Sequence, residues 1–504
     1  MNPQKRDTRS GDGWVIAGLA LAALILRLPF MTRYLYHWDS VNFALSLSHY
    51  DVRMHQPHPP GYVLYSALGA LVNGVLNDPN ASLVWLSVVG GMAGVVALYW
   101  AGGVLFSRRV GFIAALLGLT SPSLWFHSEI ALTYALEFAL VTVIAVLCYK
   151  QLTGNARIWL LLAVALGIAG GVRQNDLAFL LPLWLVSLWP LTWKQRALSV
   201  LALVDVCLAW LVPMVALSGG PGGFLAAFSS ASDVVYTESS IFGAGQSVVN
   251  AARLLIYIGY GVLLGGLALA IALVAHLRQI PVWLRDRRAW VLTLWITPAL
   301  LFYLFIHVRQ PGHVFTFLPA VILLIAVAIE ALADRWFGRQ QKLASAAMAS
   351  VIAATNVTFF LFAPASLFGS GQLPLQTMSR RTLAQRDQLL SERLAFVRER
   401  FDPTTTVVFA GGLDFRHMDF YLRDFQASSI SHELGNQTVA LPPTVNTLVL
   451  FNEQSLPALQ ADVPVEEVTT PGGATLRYYR WAAGSVASLS QQRLTTSAEV
   501  SRQP

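Results

Sequence analysis

Charged residues are scarce in this chain of 504 residues. Asp, Glu, Lys and Arg make up only 12% of it, about half their share in soluble domains, whereas 55% of its residues are hydrophobic. A composition of this kind excludes a soluble globular protein, because too few charged side chains are available to cover its surface. It predicts a polytopic membrane protein.

Cysteine is almost absent as well. Cys148 and Cys207 are the only two cysteines, and both lie in apolar runs. Neither a disulfide framework nor a cysteine-based metal site is therefore expected. The sequence also has no internal repeat and no glycine-rich nucleotide-binding loop, which disfavours a soluble nucleotide-sugar as substrate.

Long apolar runs, by contrast, recur along the first 365 residues. A hydrocarbon core of about 30 Å needs roughly 20 apolar residues in a helix. The first run has no small-residue cleavage site and is expected to remain as an anchor. About eleven transmembrane helices are predicted: Trp14–Phe30, Leu83–Phe106, Val110–Phe126, Leu132–Tyr149, Ile158–Val172, Leu177–Trp193, Ala197–Leu217, Val248–His276, Trp290–Ile306, Val314–Ala333 and Leu343–Phe362.

The distribution of Lys and Arg predicts the orientation. With the basic N-terminus in the cytoplasm, alternate connectors are rich in Lys and Arg, as the positive-inside rule requires. Counting Tyr62–Leu76 as a further span would invert all later loops, so this stretch is predicted to be an interfacial or re-entrant helix in the first outer loop, residues 31–80. The cytoplasmic clusters explain the net charge of +7 without a nucleic-acid partner.

The polar residues capable of chemistry then collect on the outer side, at helix ends where they can converge on a cavity. A carboxylate there can accept a proton from an attacking hydroxyl, whereas guanidinium groups can hold a departing phosphate. Asp39 and Glu129 are the catalytic candidates. Arg173, Arg309 and His313 are candidates for binding the phosphate of a donor. Candidates for other substrate contacts are His55, His58, Tyr62 and Tyr134.

Several motifs in these loops resemble those of the GT-C membrane glycosyltransferases. They are His37-Trp38-Asp39, His58-Pro-Pro-Gly-Tyr62, Ser128-Glu-Ile-Ala-Leu-Thr-Tyr134 and Arg309-Gln-Pro-Gly-His313. The protein O-mannosyltransferase and aminoarabinose transferase branch is the most similar, and the His-Pro-Pro-Gly-Tyr motif resembles bacterial relatives of the DUF2723 type. The similarity extends over about Trp14 to Phe362.

The resemblance implies a polyprenyl-phosphate-sugar donor in the bilayer, a hydroxyl acceptor on a protein or glycan, and an inverting displacement. Asp39 matches the first-loop aspartate of the family, its expected general base. Glu129 falls at the second acidic position and Arg309 in a region that faces the donor phosphate. The usual first-loop Asp-Glu pair is here Asp39-Ser40. The expected location is the bacterial inner membrane, with the active site on the periplasmic face.

Structural alternatives exist for these residues. Asp39 and Glu129 can each cap a helix, the histidines can serve a turn, and Arg173 and Arg309 can anchor helices at the interface. No metal-ligand spacing is present and no cofactor is expected, although binding of a divalent cation by the two acids stays open. The alternative function is a transporter or lipid-linked sugar flippase that uses the intramembrane acids Glu137 and Asp205.

The chain changes character near residue 365. A charged stretch, Thr382–Phe401, predicts a helix, and short β-type runs follow at Thr406–Ala410, Asn446–Phe451 and Ala474–Trp481. The predicted organisation is a transmembrane catalytic domain over residues 1–365, a periplasmic α/β domain over 366–483, and a disordered tail over 484–504.

Overall fold

The computed structural model describes residues 11–243, 245, 247–367, 376–410, 414–427, 438–452, 459–490 and 493–497. The chain forms two compact units. The helical unit comprises Met1–Met31 and Ser46–Thr382. The C-terminal unit comprises Leu383–Pro504 together with Thr32–Leu45 from the first outer loop. The predicted boundary at residue 365 therefore differs from the observed division, which adds part of that loop to the C-terminal unit.

The described part of the helical unit contains a long series of helices joined by short turns. Their bounds are α1 Gly11–Arg27, α3 Val63–Leu76, α4 Pro79–Leu105, α5 Arg108–Thr120, α6 Pro122–His127, α7 Tyr134–Leu152, α8 Trp159–Val172, α9 Gln174–Ser187, α10 Trp193–Leu217, α11 Gly220–Ser239, α12 Ser247–Val262, α13 Leu264–Ala275, α14 Ile280–Trp283, α15 Arg287–Phe305, α16 Leu318–Phe337 and α17 Gln341–Phe362; α2, Trp38–Ser46, lies between α1 and α3.

Every predicted span lies on one or more of these helices, but two spans are broken. Ser121 and Pro122 divide Val110–Phe126 into α5 and α6, because Pro favours a new helical N-terminus and Ser121 caps it. Val248–His276 is divided at Leu263, where α12 and α13 meet at 102°. Within the described residues, five helices are long and apolar enough to cross a membrane, or six if that bent pair forms one span. The count of eleven stays a prediction.

Small residues let α4 occupy the centre of the helical unit. A Cβ atom on Gly102 would lie 2.4 Å from the Cα of Gly111, and one on Gly90 would lie 2.6 Å from the backbone nitrogen of Leu136. Glycine at these positions therefore permits the close approach of α5 and α7 to α4. Other faces of the unit expose apolar side chains, such as Leu201 and Val212 on α10 and Leu255 on α12, which suits contact with lipid tails.

Two sheets and two helices, α18 Arg380–Arg400 and α19 Phe415–Tyr421, form most of the described C-terminal unit. The first sheet has the order β2-β1-β4-β7-β6, in which β1 is parallel to β2 and β4 and the other pairings are antiparallel. The second has the order β3-β8-β9-β5. The strands are β1 Thr406–Phe409, β2 Gln426–Ala427, β3 Val439–Ala440, β4 Thr447–Leu450, β5 Gln460–Ala461, β6 Val465–Thr469, β7 Thr475–Arg480, β8 Val486–Leu489 and β9 Arg493–Ser497.

Alternate residues of the first sheet enter two different cores, as the period of two in a strand requires. Val408 and Val449 pack with Leu394 and Val397 of α18. Val407 and Leu448 are paired across the strands and join a second core with the other sheet. Ala487, Leu489 and Leu494 are buried in this second core. Residues 486–489 and 493–497 thus form strands in a stretch that was expected to be a disordered tail; residues 498–504 lie outside the described part of the chain.

Candidate active site

Asp39 belongs to the C-terminal unit, in the first turn of α2. His37 begins this helix: its carbonyl accepts from the Val41 N–H at 3.2 Å, and its Nδ1 accepts from the Asp39 N–H at 3.1 Å. Asp39 is therefore not the N-cap, although a carboxylate in the first turn still interacts favourably with the helix dipole. Its side chain is 11% exposed and its Oδ2 lies 3.4 Å from His37 Nδ1.

The second motif of the first outer loop forms a compact turn in the helical unit. Asp51 and Gln56 pair as an antiparallel bridge around His55, which has φ of 54°. The Tyr50 hydroxyl donates to the Gly61 carbonyl at 2.6 Å. Tyr62, at φ 42°, then leads into α3 with its ring 4.8 Å from that of His58. The helix α3 has the position and the short length predicted for an interfacial or re-entrant segment, whose placement in the bilayer stays a prediction.

Arg173 occupies the junction of α8 and α9 and is 4% exposed. Its Nε lies 3.1 Å from Oε2 of Glu137, and its Nη1 donates to the Thr133 hydroxyl at 3.1 Å. The guanidinium lies over the ring of Tyr134 at 4.6 Å and near that of Tyr62 at 5.9 Å. Tyr134 and Glu137 share one face of α7 because they are three residues apart. Arg173 therefore joins two predicted substrate-contacting tyrosines.

The turn Pro311–Thr316 closes the other side of Tyr134. The Tyr134 hydroxyl donates to Oε1 of Gln310 at 2.8 Å, and Gly312 packs so closely on the tyrosine ring that a Cβ would lie 2.2 Å from it. His313 stacks on Tyr303 with ring centroids 5.1 Å apart. The Thr316 hydroxyl donates to Oε1 of Glu137 at 2.6 Å. Tyr134 and Glu137 are thereby fixed from both sides.

Arg309 is adjacent to this cluster but far more accessible. Its backbone N–H donates to Nδ1 of His313 at 3.4 Å, and its carbonyl accepts from the Tyr257 hydroxyl at 3.1 Å. The guanidinium forms an ion pair with Glu238 at the end of α11. Both side chains are about half exposed, at 45% and 52%, so this guanidinium can exchange its partner for a ligand.

Glu129 is fully buried after the short helix α6. Its carboxylate interacts with the charge of Arg27, the last residue of α1, which is also fully buried. A Cβ on Gly91 of α4 would lie 3.1 Å from Arg27 Nε and 2.0 Å from Ser128 Oγ, so a glycine is needed where this pair packs. Sequence analysis did not single out Arg27, which lies inside the predicted span Trp14–Phe30; a charged residue within an apolar run is the available signal.

The structure thus brings six of the nine candidate residues together. Tyr62, Tyr134, Arg173 and His313 form one cluster, with His58 against Tyr62 and Arg309 bonded to His313. The charge of Glu129 interacts with that of Arg27, His55 lies in the turn of the first outer loop, and Asp39 lies in the other unit. The sequence offered no sign that Gln310 and Thr316 would contact Tyr134 and Glu137, because these contacts join distant parts of the chain.

No metal centre is formed by the described residues: among them, no three His, Cys, Asp or Glu side chains are close enough to hold an ion. The cluster chemistry is that of guanidinium, imidazole, phenol and carboxylate groups. Such groups bind anions and transfer protons.

Known proteins were compared with the chain by sequence and by structure. No family model and no curated protein matches the sequence. ArnT from Cupriavidus metallidurans bound to undecaprenyl phosphate, however, aligns with 92% of this chain and 98% of its own at a TM-score of 0.55 and 11% identity. Apo ArnT aligns with 93% of this chain at a TM-score of 0.55 and 12% identity.

The chain has the GT-C fold. ArnT is a GT-C aminoarabinose transferase, and the alignment covers nearly the whole of both chains. The predicted fold class is therefore confirmed: an α-helical polytopic membrane protein with a small C-terminal region containing sheets. An oligosaccharyltransferase from Archaeoglobus fulgidus is also similar, at a TM-score of 0.49 and 12% identity, over 88% of this chain and 70% of that one.

Proposed function

We propose that this protein is a membrane glycosyltransferase that transfers a sugar from a polyprenyl-phosphate-linked donor to a hydroxyl acceptor on a protein or glycan. The main support is its structural similarity to ArnT, which was crystallised with undecaprenyl phosphate, over 92% of the chain. The apolar surface of the helical unit suits a lipid carrier. The reaction takes place on the periplasmic face of the bacterial inner membrane, with the N-terminus in the cytoplasm.

The proposed chemistry is a single displacement with inversion. An oxygen lone pair of the acceptor hydroxyl attacks the anomeric carbon, while the bond from that carbon to the phosphate oxygen breaks and its electrons leave with polyprenyl phosphate. Asp39 accepts the hydroxyl proton as general base. Positive groups at the leaving phosphate stabilise the charge that develops there.

The geometry suggests different roles for the two arginines. Arg309 is half exposed and exchanges Glu238 for the donor phosphate, assisted by His313, whose Nδ1 is bonded to the Arg309 backbone. Arg173 already has the carboxylate of Glu137 as a partner and is buried. It supports the phosphate site indirectly by fixing the rings of Tyr134 and Tyr62. These two rings and His58 contact the sugar. Glu129 and His55 are proposed to shape the acceptor side.

Purified protein in nanodiscs, supplied with a panel of synthetic undecaprenyl-phosphate sugars and an outer-membrane glycolipid or protein extract, tests this proposal. Released undecaprenyl phosphate and the glycosylated product are measured by mass spectrometry. Asp39→Asn should abolish turnover while the protein remains folded, whereas Asp402→Asn, an exposed carboxylate that caps the turn at Thr404, should retain it. Turnover like that of wild type in Asp39→Asn would remove Asp39 from the base role.

A transporter or flippase would instead move the lipid-linked sugar without forming a glycosidic product and would depend on Glu137 or Asp205. Glu137 is engaged by Arg173 and Thr316, and Asp205 is exposed on α10. Substrate movement that persists in Asp39→Asn and is lost in Glu137→Gln would favour this alternative. Mass spectrometry of glycolipids and glycoproteins from cells with and without the protein would identify the sugar and acceptor.

A further inference from the structure

We propose that the C-terminal unit is a positioning device for the catalytic loop: Asp387, His417 and Tyr421 hold the backbone of residues 33–36 and so fix the start of the helix that carries Asp39. This inference rests on the proposed function for the role of Asp39 as general base. The attachment itself is independent of that role, because it is formed entirely within the C-terminal unit. It gives residues 383–504 a part in the reaction through the placement of Asp39.

Side chains of the C-terminal unit bind the polar backbone groups of this segment one after another. Asp387 on α18 accepts from the N–H groups of Arg33 at 2.8 Å and Tyr34 at 3.2 Å. The hydroxyl of Tyr421 on α19 accepts from the N–H of Leu35 at 2.8 Å. The Leu35 carbonyl in turn lies 2.8 Å from Nε2 of His417, which must donate because a carbonyl only accepts.

The bonds continue to the residue before the helix start. Nε of Arg386 donates to the carbonyl of Tyr36 at 3.3 Å. Residues 31–37 form neither helix nor strand, so regular secondary structure does not satisfy these backbone groups, and the side chains of α18 and α19 take over that role. The pattern resembles a strand pairing in which side chains replace the neighbouring strand.

Apolar contacts fix the same segment laterally. Leu35 is fully buried, and the ring of Tyr34 packs edge-on against Tyr421 with centroids 5.5 Å apart. The Tyr34 hydroxyl donates to Ser391, one turn beyond Asp387 on α18. Trp38, the first residue of α2, lies 6.1 Å from Phe415 on α19. The segment is therefore held on both sides of the helix start.

The residues that bind the backbone of this segment are themselves fixed by a network of polar contacts. The carboxylate of Asp414, at the beginning of α19, binds Arg386 at 2.6 Å, Arg393 at 3.4 Å and the side-chain amide of Asn452 at 3.0 Å. Its Oδ1 is also 3.7 Å from Nδ1 of the fully buried His417. One carboxylate, 13% exposed, thus links α18, α19 and the residue Asn452 just after β4, so the residues that hold the loop belong to one polar network of the C-terminal unit.

The distance from attachment to carboxylate is short. Only His37 and Trp38 separate the bound carbonyl of Tyr36 from Asp39, and His37 caps the helix through Val41. Release of residues 33–36 would free the first turn of α2 and let the carboxylate leave its reactive geometry. A misplacement of about 1 Å can cost on the order of a hundredfold in rate, so the attachment is expected to govern turnover more than affinity.

A pair of tyrosine variants of the full-length protein tests this inference. Tyr421→Phe deletes the hydroxyl that receives the Leu35 N–H. Tyr478→Phe is the matched control, because its hydroxyl donates to Glu466 in the same unit. Loss of one hydrogen bond corresponds to about a threefold to tenfold change in an equilibrium constant. We expect Tyr421→Phe to lower the hydrogen-exchange protection of residues 33–38 by that factor, and Tyr478→Phe to leave it unchanged.

Kinetics then separate positioning from a general structural effect. Tyr421→Phe should lower kcat severalfold with KM unchanged, because it acts through the placement of the Asp39 carboxylate. Asp387→Ala, which removes the acceptor of two N–H groups, should act more strongly than its control Asp402→Ala. Unchanged protection of residues 33–38 in both Tyr421→Phe and Asp387→Ala would overturn the attachment. If the variants lose protection but keep the turnover of wild type, the positioning role is overturned. If they lose protection and the wild-type protein itself shows no turnover, the proposed function is overturned instead.

Discussion

Arg173 and Glu137 form an ion pair inside the helical unit, with Nε and Oε2 3.1 Å apart and both side chains no more than 5% exposed. Asp176, also fully buried, interacts with the same two charges. The arginine is therefore the cation that faces two acidic side chains within the protein. This relationship distinguishes it from Arg309, whose ion pair with Glu238 is open to solvent.

Arg173→Gln should consequently destabilise the protein strongly. It leaves Glu137 and Asp176 without their cation, and removal of one partner from a buried pair costs roughly 3–5 kcal/mol. Thermal unfolding in detergent measures the effect. The double variant Arg173→Gln with Glu137→Gln should recover part of the loss, because it also removes one of the two acids.

The matched change Arg309→Gln should alter stability by less than about 1 kcal/mol, since exposed ion pairs contribute little. It should nevertheless reduce turnover of the polyprenyl-phosphate donor severalfold under the proposed function. Equal destabilisation by the two arginine changes would contradict the contrast between a structural and a ligand-binding arginine.

Gly312→Ala should disturb the cluster around Arg173 through Tyr134. The added Cβ would lie 2.2 Å from the tyrosine ring, so either the ring or the turn must move, at a cost of about 1–3 kcal/mol. The hydrogen bond from Tyr134 to Gln310 should be lost with it, and turnover should fall. A melting curve and the donor-turnover assay measure both effects.

Gly103→Ala is the control for that change. Gly103 lies in α4, and a Cβ there would meet no atom within 4 Å. Alanine is the better helix former, so this variant should be neutral or slightly more stable. If Gly312→Ala behaves in the same way, the turn is more adaptable than its packing against Tyr134 implies.

Glu129→Gln should reveal whether the buried pair with Arg27 is mainly structural. The substitution keeps the size of the side chain but removes the charge that interacts with the buried guanidinium of Arg27, so a loss of thermal stability is expected. Arg27→Met combined with Glu129→Gln removes both charges and should restore much of the thermal stability. A double variant that is stable yet inactive would assign Glu129 a role in the reaction; a stable and active one would make the pair structural.

Acidification should loosen the C-terminal unit. Burial lowers the pKa of His417 to about 4, and the charge of Arg386 acts in the same direction, although Asp414 opposes it. Between about pH 6.5 and pH 4 the unfolded chain therefore binds more protons than the folded one, and stability falls as the pH falls, by about 3 kcal/mol in all. Hydrogen exchange of the β4 amides, corrected for the intrinsic rate at each pH, measures this change.

Asp414 extends the same trend to lower pH. Burial raises the pKa of Asp414. The charge and hydrogen bond of Arg386, together with the charge of His417 and the hydrogen bond from Asn452, outweigh burial and lower that pKa to about 2. Its contribution is complete above about pH 4 and is lost towards pH 2. His417→Gln keeps an N–H donor for Leu35 but does not titrate, so it should flatten the response between pH 6.5 and 4 and leave the response at lower pH. An unaltered curve would exclude His417 as the titrating group.

Local pattern was sufficient to predict the positions of the long apolar helices and several strands, but not α11, which lies at Gly220–Ser239. Runs of apolar residues predicted the helix positions, and the β-type run at Thr406–Ala410 predicted β1, observed at Thr406–Phe409. Hydropathy does not respond to a change of direction, however. The break at Ser121 and the bend at Leu263 therefore lay inside single predicted spans.

Contacts between distant residues were beyond such patterns. Nothing in the sequence near Arg27 indicates Glu129 as its partner, and nothing near Leu35 indicates His417 and Tyr421. Residues 31–37 show no helical or strand periodicity in their hydrophobic pattern, because their backbone is hydrogen-bonded to side chains and forms no regular secondary structure. The clustering of Tyr62, Tyr134 and Arg173 was expected only in general terms, from helix ends that share one side of the membrane; their roles with Asp39 stay proposals.

The composite nature of the C-terminal unit also has a consequence for biosynthesis. Its first piece, Thr32–Leu45, leaves the ribosome long before Leu383–Pro504, with all of Ser46–Thr382 made in between. At about 5–20 residues per second, that interval is on the order of tens of seconds. During this time the buried groups of Leu35 lack the side chains that will bind them, so the nascent loop is an expected client of chaperones until the last part of the chain arrives.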